Sequence, residues 1–109
     1  MEVKVFISIP MRGKSDKEII EAIEAAKVNA KKKVPLNYEG HVELVFIDSF
    51  LRDHESENIK NKALACLGKS LELMAHADIV CFARGWKEAR GCLIEHECAY
   101  QYGIHSVYL

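Results

Sequence analysis

No stretch of the sequence approaches the ~18 consecutive apolar residues that a membrane-spanning helix needs, and no charged leader precedes the first apolar run. These two absences predict a protein that neither spans a membrane nor carries an export signal. An excess of charge is missing too: the formal net charge is -1, and the only basic run is Lys31-Lys32-Lys33. Nothing in that balance points to a nucleic-acid polymer or a membrane surface as partner. The three lysines read as a solvated helix end that complements the helix dipole. The four cysteines, at 66, 81, 92 and 98, form no C-x-x-C pair, and no histidine stands at zinc-ligand spacing from them. They fall on apolar strand or helix positions, as reduced, buried thiols do, which predicts a cytoplasmic setting. Internal repeats, low-complexity segments and linkers are also absent.

What is present is the pattern of a single globular domain spanning 1–109, with 50% hydrophobic and 28% charged residues. "VKVFISI" (3–9) is a nearly continuous apolar, β-branched run, the mark of a strand covered on both faces. After "PMRGKS", Ser15 and Glu18 have capping-box spacing. The helix they open predicts a buried face of Ile19, Ile20, Ile23, Ala26 and Ala30 and runs to about Lys32. Pro35 and "NYEG" interrupt before a second strand, "HVELVFI" (41–47). "DSFLRDHESEN" reads as polar loop, and a helix over 57–76 buries Ile59, Ala63, Cys66, Leu67 and Met74. "DIVCFA" (78–83) predicts a third strand and "RGWKEARG" a loop. "RGCLIEHECAYQYG" predicts a helix closed by Gly103 at the position after its C-cap, and "IHSVYL" (104–109) the last strand.

Strands and helices thus alternate, which predicts a small doubly wound, Rossmann- or flavodoxin-like α/β fold. Its parallel sheet has four to five strands with helices on both faces. Ligands of such folds sit at the carboxyl edge, near the switch in strand order. The segments after strands one, two and three must meet there: "IPMRGKS", "IDSF" and "ARGWKEARGCLIE".

Two "GKS" triplets invite a P-loop reading, but the glycine required five residues ahead is Ser8 in one copy and Ala63 in the other. Arg12, Gly13 and Lys14 still lead into a helix N-terminus, which is either an anion site or a plain turn with solvated cations. His96 falls on the outer face of its helix and reads as a surface histidine. Trp86, the sole tryptophan, either stacks on an aromatic base or covers the core or a subunit contact. Ser70 lies at the centre of its helix's buried face, where a serine commonly bonds its own helix's carbonyls.

Glu95 is the anomaly. On a wheel of its helix, Cys92, Ile94, Cys98, Ala99 and Tyr102 gather on one side, and Glu95 lands among them while Glu97 faces out. An unpaired carboxylate there costs several kcal/mol. The helix N-terminus offsets part of that cost and favours the ionised form. Such a group is either a nucleophile or base, or a structural partner of Arg12, Arg84 or Arg90.

"KVFISIPMRG" together with "ADIVCFARGWKEARGCLIEHECAYQYGI" resembles the nucleoside 2-deoxyribosyltransferase-like superfamily. The likeness is strongest to its branch of small bacterial and phage proteins, whose motif D-x-V-x-x-x-x-G-W-x-x-S/A-x-G-x-x-x-E-x-x-x-A-x-x-x-G matches from Asp78 to Gly103. The resemblance implies a doubly wound parallel sheet. It also implies base exchange on deoxynucleosides, or hydrolysis of the N-glycosidic bond of nucleoside 5′-monophosphates. Glu95, between Gly91 and Ala99, takes the place of the glutamate that attacks the anomeric carbon, and Arg12 and Gly13 that of the phosphate loop.

Three positions depart from the family pattern. Phe6 stands where a tyrosine is common, Ser70 where an aspartate assists the departing base, and Ala89 where some relatives use a serine for phosphate. The resulting expectation is an enzyme of nucleoside or nucleotide N-glycosyl bonds, with Glu95 and Ser70 at the chemistry. Ser8, Pro10, Met11, Arg12, Gly13, Asp48, Gly85, Trp86, Arg90 and Gly91 are expected around the substrate. The alternative is a non-catalytic nucleotide- or phosphate-binding module of the same fold. No cofactor or metal is called for, and the resemblance implies a homo-oligomer whose neighbouring subunits complete the site.

Overall fold

The computed structural model describes residues 1–48 and 58–109. Strands β1 (Glu2–Ser8), β2 (Glu43–Phe46), β3 (Ile79–Phe82) and β4 (His105–Tyr108) form one sheet in the order β2-β1-β3-β4. All pairings are parallel. Helices α1 (Asp16–Lys33), α2 (Lys62–Met74) and α3 (Arg90–Gln101) connect them. The fold is therefore the expected α/β, doubly wound, flavodoxin-like arrangement, with four strands among the described residues.

Alternation along β1 explains why the sheet is covered twice. Val3, Val5 and Ile7 point to one face and Phe6 and Ser8 to the other, all at 2% exposure or less. Ile19, Ile23, Ala26 and Ala30 of α1 pack over the first face, against Ile79, Cys81 and Val107. Over the second lie Met74 of α2 and Ala99 of α3, against Phe6, Val80 and Phe82. Ile20 is not in the first core: one residue is about 100° of turn, and the side chain stands 47% exposed. Among the described residues no helix is long and apolar enough to cross a membrane.

The start of α1 follows the sequence pattern closely. Ser15 Oγ accepts from the Glu18 N–H at 3.2 Å, and Glu18 Oε1 accepts from the Ser15 N–H at 3.1 Å. The Ser15 N–H, and after it the Ser15 hydroxyl, holds the Glu18 carboxyl below its ordinary range. Ser15→Ala removes one half of the box and is expected to cost about 1 kcal/mol in urea unfolding. At the other end the helix passes directly into a 3-10 turn, Val34–Asn37, with Pro35 early in it.

Element ends differ from expectation where partners run out. β2 is an edge strand whose ladder starts at Glu2↔Glu43, so His41 and Val42 have no opposite residue in β1. Helix α2 begins at Lys62 rather than 57, because Asn61 caps it by accepting from the Leu64 N–H at 2.9 Å. Ile59 is consequently outside the helix and half-buried, and Met74 alone of the five expected core residues is fully buried. Residues 49–57, most of the expected polar loop, lie outside the described residues. The end of α3 matches expectation. Gly103 has φ 72°, Ile104 N–H donates to Ala99 O at 2.9 Å and Gly103 N–H to Tyr100 O at 3.4 Å. That pair of bonds is a Schellman motif, which needs the left-handed residue that glycine supplies.

Candidate active site

The switch in strand order falls between β1 and β3, neighbours paired as far as Ser8↔Phe82. Beyond them the chain leaves toward α1 on one face and toward α3 on the other, opening a cleft at the carboxyl edge. The cleft encloses about 1260 Å³. Pro10, Met11, Arg12 and Lys14 contribute from the loop after β1, and Arg84 and Gly85 from the loop after β3. Ser70 stands on the α2 wall, and Arg90, Gly91, Cys92 and Glu95 come from the first turns of α3.

The loop after β1 is a tight turn closed by the Lys14 N–H donating to Met11 O at 3.2 Å. Gly13 sits third in it at φ 77°, a conformation L side chains rarely adopt. Gly13 thus shapes the turn that carries Arg12 without itself reaching the cleft wall. Among the described residues, ion pairs occur between helical neighbours on the surface: Lys17–Glu21, Lys27–Glu24 and Lys69–Glu72. Arg12, Lys14, Arg84 and Arg90 are in none of them. All four are exposed, so among the described residues no carboxylate pairs with these cleft cations. The first turn of α3 adds to this, since Ala89 provides no side-chain cap for its free N–H groups.

Glu95 lies on the buried stripe Cys92, Glu95, Ala99 of α3. Two of the residues expected beside it do not share that stripe: Ile94 is 38% and Tyr102 83% exposed. Glu95 itself is 7% exposed. Its partner is none of the three candidate arginines but Ser8, whose Oγ donates to Glu95 Oε1 at 2.9 Å. The helix N-terminus does not offset the cost of burial here. Burial pushes it up to about 7, with the Ser8 hydrogen bond opposing in part. Glu95 is the sixth residue of α3, and the dipole's influence fades within the first turn.

Cys92 shares this buried corner. Burial pushes its thiol up to about 11, the Ser8 hydroxyl draws it down, the Glu95 charge raises it and Lys14 lowers it. It therefore stays a thiol at neutral pH and is no thiolate nucleophile. Cys66, Cys81, Cys92 and Cys98 are all free. Among the described residues no group of His, Cys, Asp and Glu side chains is placed to hold a metal ion.

Comparisons with family models, with curated proteins and with solved structures find no match for this chain. The site must stand on its own geometry.

That geometry assembles most of the expected residues and leaves out others. Ser8 is 1% exposed, so it meets Glu95 rather than a substrate. Asp48 is exposed at the carboxyl end of β2 and is not on the cleft wall. Trp86 is off the wall as well. It lies in a 3-10 turn, Trp86–Glu88, and packs into an aromatic cluster. Its ring stacks on His96 with centroids 4.4 Å apart and on Tyr108 at 5.6 Å, while Phe82 lies beneath at 5.2 Å.

His96 is accordingly no simple surface histidine: it is half-buried, and its Nε2 is 2.7 Å from the Tyr108 hydroxyl. The cluster joins α3 to β3 and β4 one residue away from Glu95, and so helps to fix the rotation of the helix. Lys14, which the sequence offers with Arg12 as an anion site or a plain turn, and Arg84, which it offers as a partner of Glu95, both line the cleft. Their place in the loops after β1 and β3 was the available signal.

Proposed function

We propose that the protein cleaves the N-glycosyl bond of a nucleoside or nucleotide, with Glu95 attacking the anomeric carbon. One observation carries this reading: a carboxyl group 93% buried at the switch point, joined to a serine instead of a cation, and forming part of a cleft wall. A buried charge kept only for structure is ordinarily paired with an opposite charge. A nucleophile is better left uncommitted and poorly solvated.

The chemistry needs nothing beyond this chain, the substrate and water. Oε2 of Glu95 bonds to C1′ while the C1′–N bond breaks, and its electron pair leaves with the base, which takes a proton from solvent. Oxocarbenium character at C1′ is stabilised by the nearby negative charge. Water, or a second base, then attacks C1′, the ester bond to Oε2 breaks and the carboxylate is restored. Arg12, Lys14, Arg84 and Arg90 outnumber Asp16 and Glu88 on the cleft wall, a balance that suits an anionic substrate such as a 5′-phosphate. The resemblance of residues 78–103 to the motif of the nucleoside 2-deoxyribosyltransferase-like superfamily points the same way.

Incubation with a panel of nucleosides and their 5′-monophosphates, followed by measurement of free base, tests this proposal. Wild type should release base and Glu95→Gln should not; equal release by both would overturn it. The reactive form is the carboxylate, with a proton affinity near 7 in the free protein. The value of kcat/KM should therefore climb as pH rises through about 7 and level off above it.

A second reading, a non-catalytic nucleotide- or phosphate-binding module, draws on the four uncommitted cations and the uncapped start of α3. Calorimetric binding of a nucleoside monophosphate with no base released would favour it.

A further inference from the structure

We infer that Ser8 is the positioning residue of the site, its hydroxyl anchoring Oε1 of Glu95 so that Oε2 meets the cleft as the reacting oxygen. This rests on the proposed role of Glu95 and adds which group orients it. Ser8 cannot touch a substrate, being 1% exposed at the end of β1. Its own backbone is fixed: the residue pairs with Phe82 of β3, and its carbonyl accepts from the Ala83 N–H at 3.0 Å. From that rigid base a short side chain with a single heavy-atom rotor donates to Oε1 at 2.9 Å.

The other oxygen follows by elimination. Among the described residues no buried side-chain nitrogen or oxygen lacks a hydrogen-bond partner. Glu95 makes its one side-chain hydrogen bond through Oε1. Oε2 is thus open to solvent, and the solvent space that Glu95 borders is the cleft. The two oxygens are therefore unlike, one tied to the sheet and one presented. Phe6 lies two residues earlier on the same strand face and has no hydroxyl, so Ser8 is the residue of that face whose hydroxyl reaches the carboxylate.

The anchor acts unequally on the two steps. In the first, Oε2 gains the bond to C1′, the base departs with the C1′–N electron pair, and Oε1 becomes the neutral carbonyl of an ester. In the second, water attacks C1′, the Oε2–C1′ bond breaks and a proton passes to solvent. Negative charge then returns to the carboxylate, half of it on the oxygen that Ser8 holds. Hydrogen bonds to charged acceptors are roughly twice as strong as neutral ones, so Ser8 assists release of the sugar from Glu95 most.

Ser8→Ala, Ser8→Cys and Ser8→Thr test the assignment in the intact protein. Loss of a hydrogen bond to a charged group corresponds to a factor of roughly 10 to 100. Ser8→Ala should lower kcat by that factor without raising KM, give a burst of base followed by slow turnover, and move the acidic limb of the pH profile upward. Ser8→Thr, which keeps the hydroxyl, should restore all three. If Ser8→Ala does not fold, Ser8→Cys retains most of the volume and donates only weakly. Wild-type kcat with an unmoved pH limb in Ser8→Ala or Ser8→Cys would overturn the inference. So would equal losses in the threonine variant.

A readout independent of turnover separates this from failure of the proposed reaction. Titration of the Glu95 carboxyl carbon, followed by NMR, should move to higher pH in Ser8→Ala and return in Ser8→Thr. If wild type releases no base, that titration alone decides whether Ser8 anchors the group, and an unmoved titration rejects the anchor.

Discussion

Glu95→Gln is expected to melt several degrees above wild type at pH 8 and together with it near pH 4. The buried carboxyl holds its proton up to about 7, against an ordinary 4.5. The folded protein therefore binds this proton more tightly than the unfolded chain does, and stability falls as pH rises from about 4.5 to about 7. A shift of that size corresponds to about 3 kcal/mol at most. Glutamine never ionises, and its side-chain oxygen still accepts from Ser8, so the variant escapes the penalty. A net gain of roughly 1–3 kcal/mol at pH 8 amounts to a rise of about 5–15 °C in a domain of this size. Base release should meanwhile fall by at least about 10³-fold. Thermal melts of both proteins across pH check the first part. A lower melting temperature for Glu95→Gln at pH 8 would mean that the carboxylate is a structural ion after all.

Phe82→Ala should produce the other large effect, a loss of about 3–5 kcal/mol in urea unfolding. Phe82 is fully buried at the end of β3 and lies within 6 Å of the rings of Trp86, His96 and Tyr108. Truncation leaves a cavity beneath three side chains that come from three different segments, so collapse cannot fill it cheaply. Each lost ring contact adds a further ~0.5–1.5 kcal/mol beyond area alone. Against a typical 5–15 kcal/mol for a whole domain, that is a large share. A midpoint lowered with unchanged slope is the expected result. A loss under 1 kcal/mol would show that the aromatic cluster does not hold α3 in place.

Local features of this molecule were legible in the sequence because they repeat at short range. The β-branched run 3–9, the Ser15–Glu18 box and Gly103 each act within a few residues. Glu95 stood out because a charge interrupts an apolar stripe of the same helix. Its partner did not, since Ser8 lies 87 residues away. Only the order β2-β1-β3-β4 puts the Phe6–Ser8 face of β1 beneath α3. The proton affinity of Glu95 is hidden from the sequence for the same reason. Depth of burial is a tertiary quantity, and it outweighed the dipole that the helix position suggested. The sequence offers Trp86 as a cover for the core, which it is, but not its stacking on His96, since that depends on a 3-10 turn with no strong composition signal. The start of α2 was obscured by the polar stretch ahead of it, where Asn61 is one of several residues able to cap.

The most direct measurement is the mass of the peptide carrying Glu95, taken from protein quenched in acid within the first turnover of a nucleoside or nucleoside monophosphate. Attack by Glu95 predicts a population of that peptide heavier by one sugar unit less a water, present in wild type, enriched in Ser8→Ala and missing in Glu95→Gln. Base released by Glu95→Gln at the wild-type rate, with the peptide unmodified in every sample, would contradict it.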